Sequence, residues 1–226
     1  MKKFIMLMAV VMLFAFAQVA MADYSVRVYQ NGFSNGNGGE FAITGAGNLG
    51  NYAATTKNVS NSPSFESFCL EESEFFTPGA LYRAVLNTAA VNGGDTAHGG
   101  SPDPLSIGTA DLYYQFATGT LAGYFVGNRN TNAGLLQQAI WILEQEVLVD
   151  PGTNPFLNAM IAKYGGTLAG AQANSNGAFS VMVLNLYDAN GGLAQDQLIL
   201  TPIPAAVWLL GTGLVALIGI RRRKNS

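Results

Sequence analysis

The chain has 226 residues, of which 49% are hydrophobic and only 11% charged, where a soluble domain usually carries about 25% charged side chains. That balance excludes a disordered chain, a coiled coil and the ordinary basic kind of nucleic-acid binder, so no nucleic-acid partner is expected. Six of the 11 basic residues, Lys2, Lys3, Arg221, Arg222, Arg223 and Lys224, sit at the two ends, while residues 23–200 hold 5 basic and 14 acidic side chains, a net of −9. An acidic, Gly/Asn-rich middle between two apolar segments with basic flanks describes an exported protein.

Residues 1–22 read as a secretory signal peptide. Lys2 and Lys3 form the charged front, Phe4 to Phe16 is an unbroken apolar run, and Ala20-Met21-Ala22 offers the small residues that signal peptidase accepts. As a helix the run would rise about 20 Å, short of a hydrocarbon core of about 30 Å, which disfavours a permanent span. The sequence predicts cleavage after Ala22.

The middle, 23–200, reads as a single α+β domain of short antiparallel strands with about three central helices. Asn31-Gly32, Asn35-Gly36-Asn37-Gly38-Gly39 and Gly45-Ala46-Gly47-Asn48 mark turns. Tyr24 to Tyr29 and Glu40 to Thr44 alternate as strands, and Phe65 to Leu70, Phe179 to Tyr187 and Gln197 to Leu200 complete the set. Tyr82 to Ala89 suits either period. A first helix is expected from a Thr109 cap through Thr118, with Asp111 in its first turn. A second is expected from an Asn132 cap, with Leu136, Ala139, Ile140 and Leu143 as its apolar stripe. Asn154-Pro155 opens the third, which ends at Gly165.

Residues 201–226 end the chain with Pro202-Ile203-Pro204-Ala205-Ala206, an apolar run to Ile220, and Arg221-Arg222-Arg223-Lys224. Ala205 to Ile220 gives about 24 Å of helix, marginal for a permanent span. The basic cluster would stay cytoplasmic, leaving the middle outside the inner membrane. The two prolines forbid helix and present an extended segment just outside the bilayer. This order of parts resembles the sorting tail of PEP-CTERM proteins, in the Pro-x-Pro-Ala form. The resemblance implies cutting near Pro202, Ile203, Pro204 and Ala205 by an exosortase, a membrane transpeptidase. It also implies transient anchoring in the inner membrane, followed by release to the cell surface or extracellular matrix.

Cys69 is the only cysteine, so an internal disulfide is excluded. It reads as a small buried hydrophobe, as an intermolecular disulfide partner, or as a nucleophile. Ser67-Phe68-Cys69-Leu70-Glu71, followed by Leu136-Gln137-Gln138-Ala139-Ile140-Trp141, resembles the Cys–Gln thioester domains of bacterial surface adhesins. The resemblance implies that the Cys69 sulfur replaces the ammonia of the Gln137 carboxamide, and that an amine on a surface or matrix polymer then attacks the bond. Trp141, one helical turn after Gln137, would cover the bond against water.

Other chemistry is sparsely supported. His98 is the single histidine and stands in a Gly-rich stretch, which lacks metal-site spacing, so neither metal nor cofactor is expected. Asp188-Ala189-Asn190-Gly191-Gly192 lacks the ligands of a calcium loop and reads as a hairpin turn. Glu71, Glu72 and Glu74 read as a solvated strand end or loop, although a carboxylate pair there would serve glycoside hydrolysis. Asn58-Val59-Ser60 fits a glycosylation sequon, which carries little weight in a bacterial export context. Two functions follow as expectations: a non-enzymatic adhesive or biofilm-structural surface protein with exopolysaccharide or amine partners, or a secreted hydrolase acting on extracellular polymer.

Overall fold

The computed structural model describes residues 23–36, 38–46, 57–59, 62–92, 102–147 and 152–201. The signal segment, the Pro-x-Pro tail with its basic cluster and the loop holding His98 lie outside the described residues.

Nine strands are present among them: β1 (Asp23–Asn35), β2 (Gly38–Ala46), β3 (Lys57–Val59), β4 (Ser62–Ser67), β5 (Leu81–Asn87), β6 (Ala89–Ala90), β7 (Asp103–Pro104), β8 (Val181–Tyr187) and β9 (Leu193–Leu200). Four helices stand between β7 and β8: α1 (Ile107–Ala117), α2 (Arg129–Leu143), α3 (Pro155–Lys163) and the short α4 (Leu168–Ala171). The class is α+β. Seven strands form one antiparallel sheet in the order β3-β4-β2-β1-β5-β8-β9. The sheet then curls back on itself. Past the end of β4, Cys69 bridges to Gln197, the Leu198 N–H donates to Phe68 O at 3.0 Å, and the Leu70 N–H donates to Asp196 O at 3.1 Å. Residues 68–70 thereby join β9 to the β4 end and close a barrel, with β3 left outside the ring.

Strand alternation sorts the side chains into two cores. Val26, Val28, Phe41, Ile43, Phe65, Tyr82, Leu184, Leu186 and Ile199 fill one, together with Cys69. Phe68, Leu70, Val183 and Leu198 point the other way and pack against Leu112, Phe116, Leu136, Ile140 and Leu143 of α1 and α2. Neighbours along a strand face opposite sides, so Cys69 enters the barrel while Phe68 and Leu70 face the helices. Trp141 is the α2 side chain that joins the barrel core.

Local chemistry explains the helix starts and corrects two expectations. Ser106, rather than Thr109, caps α1: it is extended at φ −71°, ψ 153°, and its Oγ accepts from the Thr109 N–H at 3.1 Å. Thr109 is the third helical residue and is buried, so Asp111 falls beyond the first turn. Asn128, rather than Asn132, caps α2, accepting from the Asn130 N–H at 3.1 Å and the Thr131 N–H at 3.4 Å. Asn132 instead donates to the carbonyls of Gly123, Tyr124 and Val126 in the preceding loop. Asn154 caps α3 with Pro155 at its start, as the sequence predicts. Tyr82 to Ala89 resolves as strand over Leu81–Asn87, because pairing with β1 and β8 on both sides demands the period of two. Asp188 to Gly192 is the β8–β9 turn, with Asp188 Oδ1 accepting from the N–H groups of Asn190 and Gly192.

Candidate functional site

Helix α2 brings the two halves of the paired motif together across 68 residues of chain. The fully buried Gln137 lies over the Cys69 peptide: its Nε2 donates to Cys69 O at 2.8 Å, and its Oε1 accepts from the Cys69 N–H at 3.2 Å. Both hydrogen-bonding ends of the carboxamide are therefore spent on the backbone of Cys69. The N–H donated to Oε1 polarises the carboxamide carbon in the sense that nucleophilic attack needs. Gly38 of β2 supplies the room. A Cβ there would lie 2.8 Å from Gln137 Cβ and 2.8 Å from Cγ, closer than packed carbons approach.

Cys69 is buried. Burial pushes its thiol well above the usual range, the charge of Glu71 pushes it further, and the Trp141 indole N–H pulls it down. The thiol is thus protonated at rest, and attack requires the proton to be taken elsewhere. Trp141 is 8% exposed and forms part of the walls of two clefts of about 350 Å³ and about 590 Å³. Glu72 also borders both. Gly38, Asn35 and Gln138 line the smaller, and Phe41, Phe75 and Phe76 the larger. The indole consequently stands between the Cys69 site and two openings.

Three buried side-chain polar atoms among the described residues have no hydrogen-bond partner: Glu71 Oε1, Gln197 Oε1 and Trp141 Nε1. All three belong to residues around Cys69. Glu71 is two residues along the same segment, Gln197 is its partner across the β9 bridge, and the Trp141 N–H acts on its sulfur from outside hydrogen-bond geometry. Each such atom costs roughly 1–3 kcal/mol when buried unpaired, so their concentration at one place marks a site.

The reading of Glu71 as solvated is overturned. Glu71 is 2% exposed because residues 70–71 pair with β9, and its Oε2 accepts from the Asp196 N–H at 2.9 Å. Burial holds its carboxyl well above the usual range, reinforced by Asp196 and Glu74. Half-buried Glu72 faces the clefts, with its N–H on Glu146 Oε2 at 3.2 Å.

A second polar cluster lies on the outer face of the barrel. Arg129, at the start of α2, bonds Glu40 through Nε at 2.8 Å and Nη2 at 2.9 Å, and reaches Glu66 at 3.1 Å. Asn31 donates to both carboxylates, and the Tyr124 hydroxyl donates to Glu40 at 2.6 Å. This fork ties α2 to β1, β2 and β4. Neither carboxylate is left free to act as an acid or base. Among the described residues, no group of three or more His, Cys, Asp and Glu is placed to hold a metal ion.

The sequence singles out Cys69, Gln137 and Trp141, and the fold brings them together. It misses Gln197, although a polar residue just ahead of the apolar Leu198-Ile199-Leu200 run is a signal of a buried polar role. No family model matches this chain, and no curated protein or solved structure does.

Proposed function

We propose that the protein is an exported adhesive or biofilm-structural surface protein, sorted by its Pro-x-Pro tail, whose ectodomain forms an internal thioester between Cys69 and Gln137. The observation that supports the thioester is the double hydrogen bond between the buried Gln137 carboxamide and the Cys69 peptide. In this reading the Cys69 sulfur bonds to Gln137 Cδ, the Cδ–Nε2 bond breaks, and ammonia leaves carrying the thiol proton. A primary amine on a matrix or surface polymer then forms an amide with Gln137 and returns the thiol. The hydrolase reading has less support, because Glu40 and Glu66 are bound by Arg129 and Glu71 is sealed from solvent.

Intact mass of the full chain recovered from cells tests this reading. The thioester removes one ammonia, about 17 Da, and Cys69→Ala or Gln137→Ala each restores the unmodified mass. Methylamine adds about 31 Da to the thioester form, leaving the chain about 14 Da above its unmodified mass, and frees the thiol. A chain of unmodified mass with a titratable Cys69 would sink the thioester. Sorting has its own readout: deleting Arg221 to Lys224 misplaces the ectodomain, and a mature surface form that keeps the whole tail counts against exosortase cutting.

A further inference from the structure

We infer that Glu71 and Gln197 form a nitrogen subsite for the Cys69–Gln137 reaction, in which Glu71 carries the proton between sulfur and nitrogen. This assignment rests on the thioester reading.

The reaction sets a problem that the Cys69–Gln137 pair does not solve alone. The thiol holds its proton at rest, and an amide nitrogen leaves only after gaining one. Something buried must accept the first and deliver the second. Ammonia, as it leaves, also needs acceptors for its N–H groups in a place without solvent.

The unpartnered atoms around Cys69 have that chemistry. Glu71 Oε1 and Gln197 Oε1 are both acceptors, sealed from solvent and unused. Residues directly opposed across an antiparallel bridge project to the same face, with Cβ atoms about 4.5–5.5 Å apart. The Gln197 side chain therefore stands beside Cys69 within the barrel core. Glu71 is close enough to be the strongest charge acting on the thiol. Its Oε2 is held by the Asp196 N–H, which fixes the carboxyl and leaves Oε1 as its working oxygen. The groups acting on Glu71 are Asp196 from β9, Glu74 from its own segment and Glu146 just past α2, all carboxyls. Burial, reinforced by these carboxyls, raises the Glu71 carboxyl well above the usual range, so its acid form can give a proton to the departing nitrogen and its carboxylate can take one from sulfur.

The balance is complete without a further reactant. On formation, the S–Cδ bond forms and the Cδ–Nε2 bond breaks. Glu71 protonates Nε2 and is reprotonated by the thiol, so ammonia leaves and Glu71 ends as it began. With an incoming amine the N–Cδ bond forms and the S–Cδ bond breaks, and one amine proton passes through Glu71 to sulfur. Ammonia and amine occupy the same place because one reaction is the reverse of the other with a substituted nitrogen.

The test uses the full chain in detergent and two readouts: the fraction lacking one ammonia by intact mass, and the rate of thiol release by methylamine from pH 6 to 10. Glu71→Gln keeps an acceptor for the Asp196 N–H but cannot carry a proton. It is expected to lower the rate of formation or of thiol release by about 100-fold and to flatten the pH profile. Glu71→Asp recovers part of the rate. Gln197→Met, which keeps the length and removes the acceptor, slows thiol release by about 10-fold, the weight of one buried hydrogen bond. Wild-type rates and pH profile in Glu71→Gln would overturn the proton role, even if that variant melts earlier. If Glu71→Gln does not fold, a wild-type rate in Gln197→Met overturns the subsite. A wild-type chain without the mass loss overturns the thioester itself, and the subsite with it.

Discussion

Gly38 rests directly on the side chain of Gln137, with space for no atom between them: a Cβ on Gly38 would stand 2.8 Å from both Gln137 Cβ and Cγ. The contact involves the root of the Gln137 side chain, which cannot swing aside without moving α2. The β1–β2 hairpin and the helix are thus seated on each other through a missing methyl group. Gly134 repeats the device one turn before Gln138, where a Cβ would meet Asn35 Cβ at 2.8 Å.

Gly38→Ala is therefore expected to cost about 1–3 kcal/mol by overpacking and to shift the Gln137 carboxamide off the Cys69 peptide. Denaturant melts measure the first effect and the ammonia-loss fraction the second. Gly36→Ala is the control: its φ of 65° strains any side chain, yet a Cβ there meets nothing within 4 Å. It should destabilise without lowering the ammonia-loss fraction. Equal ammonia loss in Gly38→Ala and wild type would show that the seating is irrelevant to the pair.

Arg129 is the only cation bonded to two buried carboxylates, Glu40 and Glu66, among the described residues. Removing it leaves their charges uncompensated on the barrel's outer face. Arg129→Met should cost about 3–5 kcal/mol, the usual penalty for breaking a buried pair from one side. The triple change Arg129→Met, Glu40→Gln, Glu66→Gln should recover much of that, because the orphaned charges go with it. Chemical denaturation of the set decides the matter. A triple variant no more stable than Arg129→Met would place the penalty in lost packing against Phe33 and Phe125.

The strands and helices were largely legible because their apolar periods are clean, and the misplacements have physical causes. Thr109 and Asn132 are both good caps, but a cap must sit in extended backbone ahead of the helix. Ser106 and Asn128 occupy those positions, three and four residues earlier. Tyr82 to Ala89 is ambiguous because its apolar positions suit either period, and pairing on two sides decides for strand. The Cys69–Gln137–Trp141 part of the site was readable from two short motifs. Glu71 and Gln197 were not, since their burial arises from residues 68–70 folding back on β9. That closure is a long-range contact that no local pattern encodes. The Arg129 fork escaped for the same reason, drawing on Glu40 and Glu66 from separate strands.

Buried carboxyls with raised pKa values, Glu71, Glu144 and Asp196 among them, set the pH dependence of stability. Burial raises Glu144 to about 7 and Asp196 to about 6. Their unfolded values lie near 4.5 and 3.8. The folded state therefore binds more protons than the unfolded one between those values. The stability these groups contribute is fully present below the unfolded pKa and is lost as pH rises through the folded one. Thermal melts should fall from about pH 4 to pH 7. Glu144→Gln, which keeps an oxygen acceptor for the Ser106 N–H, should flatten the upper part of that slope. A melting temperature that climbs steadily from pH 4 to pH 7 would show that other groups outweigh these carboxyls.

Trp141 is where burial and access conflict. Its indole belongs to the barrel core, yet it walls both clefts. Its N–H is unpaired within the fold and acts on the Cys69 sulfur. Two roles follow, and they separate by substitution. Trp141→Phe keeps a planar apolar cover and deletes the N–H, so the internal thioester should still form and hydrolyse at nearly the wild-type rate. Trp141→Ala opens the barrel core to both clefts. It should cost about 3–5 kcal/mol and speed hydrolysis by at least 10-fold, because water reaches the bond. Methylamine should gain similarly in Trp141→Ala, since the clefts admit it on the same side. The decay of the ammonia-loss species at fixed pH measures each rate. If Trp141→Phe hydrolyses as fast as Trp141→Ala, then the indole N–H protects the bond and the cover does not.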